Sequence, residues 1–427
     1  MATVPSSTLR DRTFLACLPF ESMSPPPFGY GVDQLVRGHA RLPAGMRFGL
    51  LTNDAATTAS APHGLGRQAL LGAGVQLVRL FSPEHGMAGT AADGACVPDG
   101  FDPATGLEVV SLYGERMHPE LAMFEDLDGV LVDLPDIGAR FYTFIWSMSQ
   151  MLEACGQAGL PVWVLDRPNP IGGDLAAAEG PMLDVDHCAS FLGRWAMPIR
   201  HSLSIGELAR LWNHEQRLNV ELHVVAAAGW NRTDHWPATG VPFVPTSPAM
   251  ASYQSALLYP GLCLFEATNL SVGRGTSRPF EQIGAPWIDP SAMHTALTAR
   301  PLPGVESERV TFTPSIAPYA GERCHGVRLK LIDPERFRPV AAGLWLLAWT
   351  IRHSQDCFEW TRYPTAANPT GDRHIALLLG RRDIAGLLAD PATPLLSTIQ
   401  SATAVPEWRG RVEPHLVYPK SVGSTSM

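Results

Sequence analysis

Charged residues are scarce in this chain. They make up 17% of its 427 residues, against 45% hydrophobic. That balance excludes a disordered polymer and supplies ample material for a core. Lys and Arg form no run, and the formal net charge is −9. Both facts argue against a nucleic-acid or anionic-membrane partner. No long apolar run occurs either. The best, residues 343–351 (GLWLLAWTI), is far below the roughly 20 residues that span a bilayer. The seven cysteines are odd in number and include no CxxC pair, so reduced, mostly buried thiols in a cytoplasmic protein are expected. The 14 histidines fall in no HExxH or zinc-finger spacing, so no metal site is expected.

Other absences narrow the chemistry. No GxGxxG follows the first apolar run, which argues against a nucleotide cofactor. Residues 273–276 (GRGT) lack the lysine and spacing of a phosphate loop. No GxSxG nucleophile elbow is present, which removes the common serine-hydrolase reading. No cofactor is expected. The N-terminus lacks the basic and apolar regions of a signal peptide. Residues 1–30 read as a loosely packed or mobile extension, or as the product of a start codon placed too far upstream.

What is present is strand–helix alternation. Apolar runs at 46–52, 75–81, 107–112, 129–134, 161–166 and 221–226 read as buried strands. Helical patterns at 65–73, 140–158 and 204–216 lie between them, the last with Ser204 and Glu207 spaced as a capping box. Continuous apolar strands alternating with helices predict a doubly wound, mostly parallel sheet. From about residue 230 the texture changes to Pro, Gly and Trp punctuation, with strands expected at 310–312 and 326–332 and a helix at 343–353. A chain longer than the roughly 250–300 residues of one core implies two domains. The expected division is an extension at 1–30, a catalytic α/β domain at 31–248, and a smaller α+β domain at 249–427.

Ligands of open parallel sheets bind beyond the carboxyl ends of the strands. Asn53 follows the first strand. Glu84 and His85 follow the second, Asp133 and Asp136 the fourth, and Asp166, Arg167 and Asn169 the fifth. Each alone is explained as a turn or cap residue; together they point to a site. Glu84 is the sharpest, because Glu is no favoured turn residue, and apolar walls would raise its pKa as a general acid requires. The alternative for Glu84 is an ion pair with an arginine. Asp166–Asn169 sits in a proline-fixed loop suited equally to substrate positioning and to a structural corner. Arg140 and Tyr142 open the predicted helix after Gly138, where they either hold a ligand carboxylate or serve as scaffold, Arg140 pairing with Asp136.

Longer motifs carry a family resemblance. FSPEHG (81–86), SLYG (111–114), DIGARFYTF (136–144), LDRPNPIGG (165–173), PIRHSLSIGELA (198–209), YPGLCLFEATNLSVGRGTSRPFEQIGAPW (259–287) and CHGV (324–327) resemble the exo-β-N-acetylmuramidases, the NamZ-type glycosidases, over roughly 31–427. The resemblance implies a Rossmann-like domain, a smaller second domain and an active site in the cleft between them. It implies release of N-acetylmuramic acid from the non-reducing end of peptidoglycan fragments, with Glu84 as catalytic acid. The expected catalytic set is Glu84, His85 and Asp136. The expected binding set is Asn53, Arg140, Tyr142, Asp166, Arg167, Asn169, His201, Glu266, Asn269 and Arg274. The expected partner is a small sugar-like substrate.

The chain departs from the family pattern at polar positions. Ala88 stands where the family has Arg, and Ala95 where it has a second Glu, eleven residues after the catalytic one. The family's PSPN reads 246–249 TSPA, and its EGTN and SEGRGT read with Ala267 and Val272. With Ala95 the usual second carboxylate is missing; Asp133, Asp136 or Glu266 are the candidates to replace it, or the acetamido group of the substrate assists. The departures suggest a pocket remodelled toward a less charged ligand, with weak muramidase activity. Three readings follow: a glycoside hydrolase on an amino sugar, a lyase or transferase on a sugar-like metabolite, and a non-catalytic sugar-binding protein.

Overall fold

The structure, a computed structural model, describes residues 27–60 and 63–418. Most of the expected N-terminal extension, with Cys17, lies outside the described residues. Of the rest, Gly29 bridges Ala228, and Tyr30 is buried.

Seven strands form the first sheet: β1 (Arg47–Thr52), β2 (Gln76–Ser82), β3 (Gly100–Phe101), β4 (Glu108–Ser111), β5 (Gly129–Asp133), β6 (Val162–Leu165) and β7 (Leu222–Val225). Their order is β3-β4-β2-β1-β5-β6-β7. Every pairing is parallel except that of the two-residue edge strand β3. Apolar residues fill both faces of β5 and β6, all of whose residues are buried, as helices covering both sides of a parallel sheet require. The chain winds outward from β1 first through β2 and β4, then through β5, β6 and β7. This is the expected doubly wound, Rossmann-like sheet. It collects the carboxyl ends of β1, β2, β4, β5 and β6 along one edge.

A second, antiparallel sheet has the order β8-β10-β9, from β8 (Gln282–Ala285), β9 (Val305–Phe312) and β10 (Cys324–Leu331). The helix Pro290–Ala299 packs on β9 and β10, and beyond it come the helices Tyr253–Leu262 and Pro339–His353. These two helices pack with backbones nearly touching. A Cβ on Gly261 would sit 2.0 Å from the Pro339 carbonyl oxygen, and one on Gly343 2.4 Å from that of Gly261.

Two local expectations need correction. The helix expected from Arg140 begins at Phe144. Ala139 instead bridges Arg200, and Arg140 N–H donates to the Ile199 carbonyl at 2.8 Å, so this segment is spent on pairing. Arg140 and Tyr142 therefore do not open a helix. The helix Tyr253–Leu262 escapes the sequence reading because Pro260 and Gly261 interrupt its pattern.

Candidate active site

The β2 strand ends at Ser82 and runs into Pro83-Glu84-His85-Gly86. His85 takes a left-handed backbone (φ 67°) and Gly86 follows it (φ 73°), so the chain reverses sharply at the strand end. His85 Nδ1 lies 2.9 Å from the Ala91 carbonyl, and Ala91 N–H donates back to the His85 carbonyl at 3.2 Å. A carbonyl only accepts, so Nδ1 carries the proton. This double tie folds the 85–91 loop onto the strand end.

The turn delivers Glu84, 6% exposed, into a pocket. Oε1 accepts from Gly94 N–H at 2.9 Å, and Oε2 accepts from the Thr143 hydroxyl at 2.5 Å. Tyr113 lines the same pocket. Burial, and then the negative charge of Asp93, push the proton affinity of Glu84 above the usual glutamate range, against the pull of His85, Thr143 and Gly94. A carboxyl held neutral near working pH is the state a general acid needs.

Asp93 arrives on the same loop. Its carboxylate accepts from the Tyr363 hydroxyl at 2.6 Å and lies 3.2 Å from Arg274 Nη2. Burial works against its ionisation, but Arg274 and Tyr363 outweigh burial and hold it below the usual aspartate range. Arg274 reaches further, to Glu266 Oε1 at 2.5 Å, with its guanidinium 4.9 Å over the Phe280 ring. Glu266 also accepts from the Cys263 thiol at 3.2 Å. Burial, despite Arg274 and aided by Asp93, raises its proton affinity too. One guanidinium thus serves two carboxylates, and Glu84 is left without a cation of its own.

His374 closes the pocket from the C-terminal part of the chain, stacked on Tyr363 at 4.7 Å between centroids. Both its ring nitrogens are buried without a partner. Burial depresses its pKa to about 4, so the ring is neutral and offers one donor and one acceptor. Buried polar atoms left unpaired inside a pocket are suited to a ligand.

The pocket proper holds about 40 Å³. Asp93, Glu266, Arg274 and Tyr363 also line a neighbouring cleft of about 940 Å³, walled by apolar residues including Pro248, Val272 and Pro318. Glu84 therefore stands at the narrow end of a large open cleft. Among the described residues, Glu84, His85 and Asp93 are the one group offering three metal-type ligand atoms within 4.8 Å of one another. Donors already occupy both Glu84 oxygens, and Arg274 neutralises Asp93, so the arrangement suits proton transfer.

Of the residues expected from sequence, Glu84, His85, Tyr142, Glu266 and Arg274 line this pocket. Tyr142 bonds through its hydroxyl to Thr246. Asn269 lines the neighbouring cleft, its amide tied to Cys357 and Glu359 backbone. The others lie elsewhere. Arg140 is fully enclosed and donates to the carbonyls of Pro181, Met197 and Leu378; among the described residues no carboxylate, Asp136 included, pairs with it. Asp136 lines a separate small cavity, with Oδ2 at 3.0 Å from Gly138 N and 3.1 Å from His201 Nε2. His201 is itself fully buried.

Asp133 and Arg167 form a sealed pair at 2.6 Å, the guanidinium 4.3 Å over Tyr30. Asp166 accepts from Arg167 N, Gly206 N, Ser204 Oγ and Tyr418 OH, which fixes the start of the helix Ile205–Glu215. Asn169 clamps Leu203 and Ile171, and Asn53 accepts from Ala55 N. These side chains build the loops that frame the site.

The sequence reading missed Asp93, Thr143, Tyr363 and His374. It also took the loss of Glu at position 95 as the loss of a carboxylate. Asp93 supplies one two positions earlier. Ala88, where the family has Arg, is exposed and outside the pocket.

The family model for the N-terminal part of the exo-β-N-acetylmuramidase NamZ matches residues 48–254, and that for its C-terminal part matches 257–418. The peptidoglycan β-N-acetylmuramidase NamZ of Bacillus subtilis (strain 168) is 40% identical over 316 residues, 74% of this chain and 75% of that protein. A DUF1343 family protein of Bacteroides fragilis has a similar crystal structure, with a TM-score of 0.79 at 27% identity over 92% of this chain and 99% of that one. A second from the same organism, with a TM-score of 0.68 at 24% identity and the same coverage, shares the fold. The chain belongs to the exo-β-N-acetylmuramidase NamZ family.

Proposed function

We propose that this protein is a glycoside hydrolase that releases N-acetylmuramic acid from the non-reducing end of peptidoglycan-derived sugar chains, with Glu84 as the proton donor. The observation that carries this reading is the Glu84 carboxyl: buried, raised in proton affinity, and set at the end of a cleft wide enough for a sugar. It protonates the glycosidic oxygen as the bond to the anomeric carbon breaks. Thr143 and Gly94 hold its orientation. His374, neutral and unpaired, offers a donor and an acceptor to a substrate hydroxyl or acetamido group. The departures at positions 88 and 95 pointed toward lost activity; Asp93 refills the pocket's charge, so turnover of a muramide is the expectation. The six described cysteines are free thiols, which supports action in a reducing cytoplasm. Among the described residues no helix is long and apolar enough to cross a membrane.

The test is hydrolysis of a disaccharide with N-acetylmuramic acid at its non-reducing end. The wild-type protein should release the free sugar, and Glu84→Gln should lower kcat by roughly 10²–10⁴-fold. The loss should be smaller on a nitrophenyl muramide, whose leaving group needs no proton. Equal turnover of the disaccharide by both proteins would refute the assignment.

A further inference from the structure

One carboxylate oxygen of Glu84 and one of Asp93 lie within 4.8 Å of each other, so the two groups face one another at close range. An inverting glycosidase needs about 6.5–9.5 Å between its carboxyl groups to seat a water, whereas a retaining pair stands about 5–5.5 Å apart. The two groups are also held in opposite ways. Glu84 receives no cation, while Asp93 has the Arg274 guanidinium and the Tyr363 hydroxyl. An acid beside an ionised carboxylate is the division of labour that retaining hydrolysis requires.

The backbone explains how Asp93 reaches this place when the family's usual carboxylate position is Ala95. Gly94 sits between them in a left-handed conformation (φ 68°), and a Cβ there would come within 2.7 Å of Thr365. Its N–H binds Glu84, and its carbonyl accepts from Ala366 N at 2.8 Å. The turn is therefore fixed on both sides of the peptide unit, with the side chain of Asp93 directed to Arg274 and Tyr363. A carboxylate lost on one side of Gly94 is regained on the other.

We infer that Asp93 is the second catalytic carboxylate, the nucleophile of a double displacement that retains anomeric configuration. The inference rests on the glycosidase reading given above. In the first step an Asp93 oxygen bonds to the anomeric carbon as that carbon's bond to the leaving oxygen breaks, and the Glu84 proton passes to the leaving oxygen. In the second, ionised Glu84 takes a proton from water, whose oxygen bonds to the anomeric carbon and releases the Asp93 carboxylate. Arg274 and Tyr363 hold Asp93 in its ionised form between turnovers. His85, Tyr113, Tyr142, Tyr259, Cys263, Glu266 and His374 are the other titratable groups that line the pocket with the pair.

The experiment uses the full-length protein and para-nitrophenyl N-acetyl-β-muramide. Proton NMR of the first-formed sugar should show the β anomer. Asp93→Ala and Asp93→Asn should each lose roughly 10³-fold or more in kcat, with azide restoring turnover of the alanine variant and yielding the α-glycosyl azide. The residual activity of Asp93→Asn should lose its alkaline limb at lower pH than the wild type, because Glu84 no longer faces a fixed negative charge. Melting curves check folding; if Asp93→Ala unfolds through the freed Arg274, the near-isosteric Asn variant and the wild-type anomer decide. An α first product, or an Asp93→Asn variant within tenfold of wild type, overturns the inference while the glycosidase reading stands. A wild-type protein inert on muramides overturns both.

Discussion

Two acid-rich regions share the carboxyl edge of the parallel sheet, and they differ in how the charge of their carboxylates is met. Around Asp133 and Asp166 the donors suffice. Asp133 takes both arms of Arg167, at 2.6 and 3.1 Å, and Asp166 accepts four hydrogen bonds. Around Glu84 cations run short: Asp93 and Glu266 share a single guanidinium, that of Arg274, and Glu84 meets none. The saturated region has nothing left to offer a ligand and holds loops in place. In the pocket, burial and then the charge of Asp93 raise the proton affinity of Glu84, burial outweighs Arg274 at Glu266, and the ring nitrogens of His374 have no partner. Acidic residues at strand ends are one signal in sequence and two different things in the fold; burial raises the proton affinity of Asp133 and Asp166 as well, and what separates the pairs is that Glu84 and Glu266 line a pocket.

Substitutions should split the two regions, with the largest effect in the pocket. Glu84→Gln should abolish most turnover of a sugar–sugar bond, as given above, with the melting temperature unchanged or raised because a poorly compensated carboxyl has been removed. Arg167→Met should do the reverse. It strands Asp133 in the core, so unfolding measured by denaturant should show a loss of about 3–5 kcal/mol, while kcat per folded molecule stays near wild type. A large fall in kcat with intact stability would place Arg167 in the chemistry and break the comparison.

Arg140→Lys should follow Arg167 at smaller size. Lysine cannot reproduce three carbonyl contacts from one planar group, so a loss of about 1–3 kcal/mol in stability is expected, with KM unchanged. A raised KM at wild-type stability would return Arg140 to the binding set.

The pH dependence sharpens the same contrast. Glu84 acts only while protonated, so kcat/KM should fall as pH rises through a midpoint above the usual 4.5. The sign for stability is the same. Ionising Glu84 costs more in the folded than in the unfolded chain, so its contribution is full below the unfolded pKa and is lost as pH rises through the folded one. The alkaline limb should vanish in Glu84→Gln. The smallest effect belongs to His374. His374→Phe keeps the stacking on Tyr363 and removes the donor and acceptor, so kcat/KM should fall about tenfold, the value of one hydrogen bond, without moving the pH midpoint.

Much of the scaffold was legible because parallel strands buried on both faces write themselves as continuous apolar runs: β5 and β6 match their runs to within a residue. Glu84, Glu266 and Arg274 were legible because they lie in long motifs. Asp93 was not, since Asp-Gly in an irregular loop reads as a turn, and only folding shows that Gly94 aims Asp93 toward Arg274. Arg140 misled because the pattern of its helix runs back past the true start at Phe144, and the pairing of Ala139 with Arg200 is non-local. His374, Tyr363 and Thr143 depend on contacts between distant segments, such as the stacking of Tyr363 on His374 against a loop 270 positions from Tyr363. No local pattern records those.

The measurement that bears most directly on the division between reactive and structural acids is a crystal structure of Glu84→Gln with N-acetylmuramic acid bound. The sugar is expected in the cleft, with its anomeric carbon between residues 84 and 93 and a polar substituent on His374. Sugar seated instead in the small cavity of Asp136 and Arg167, with the Glu84 pocket empty, would contradict that division.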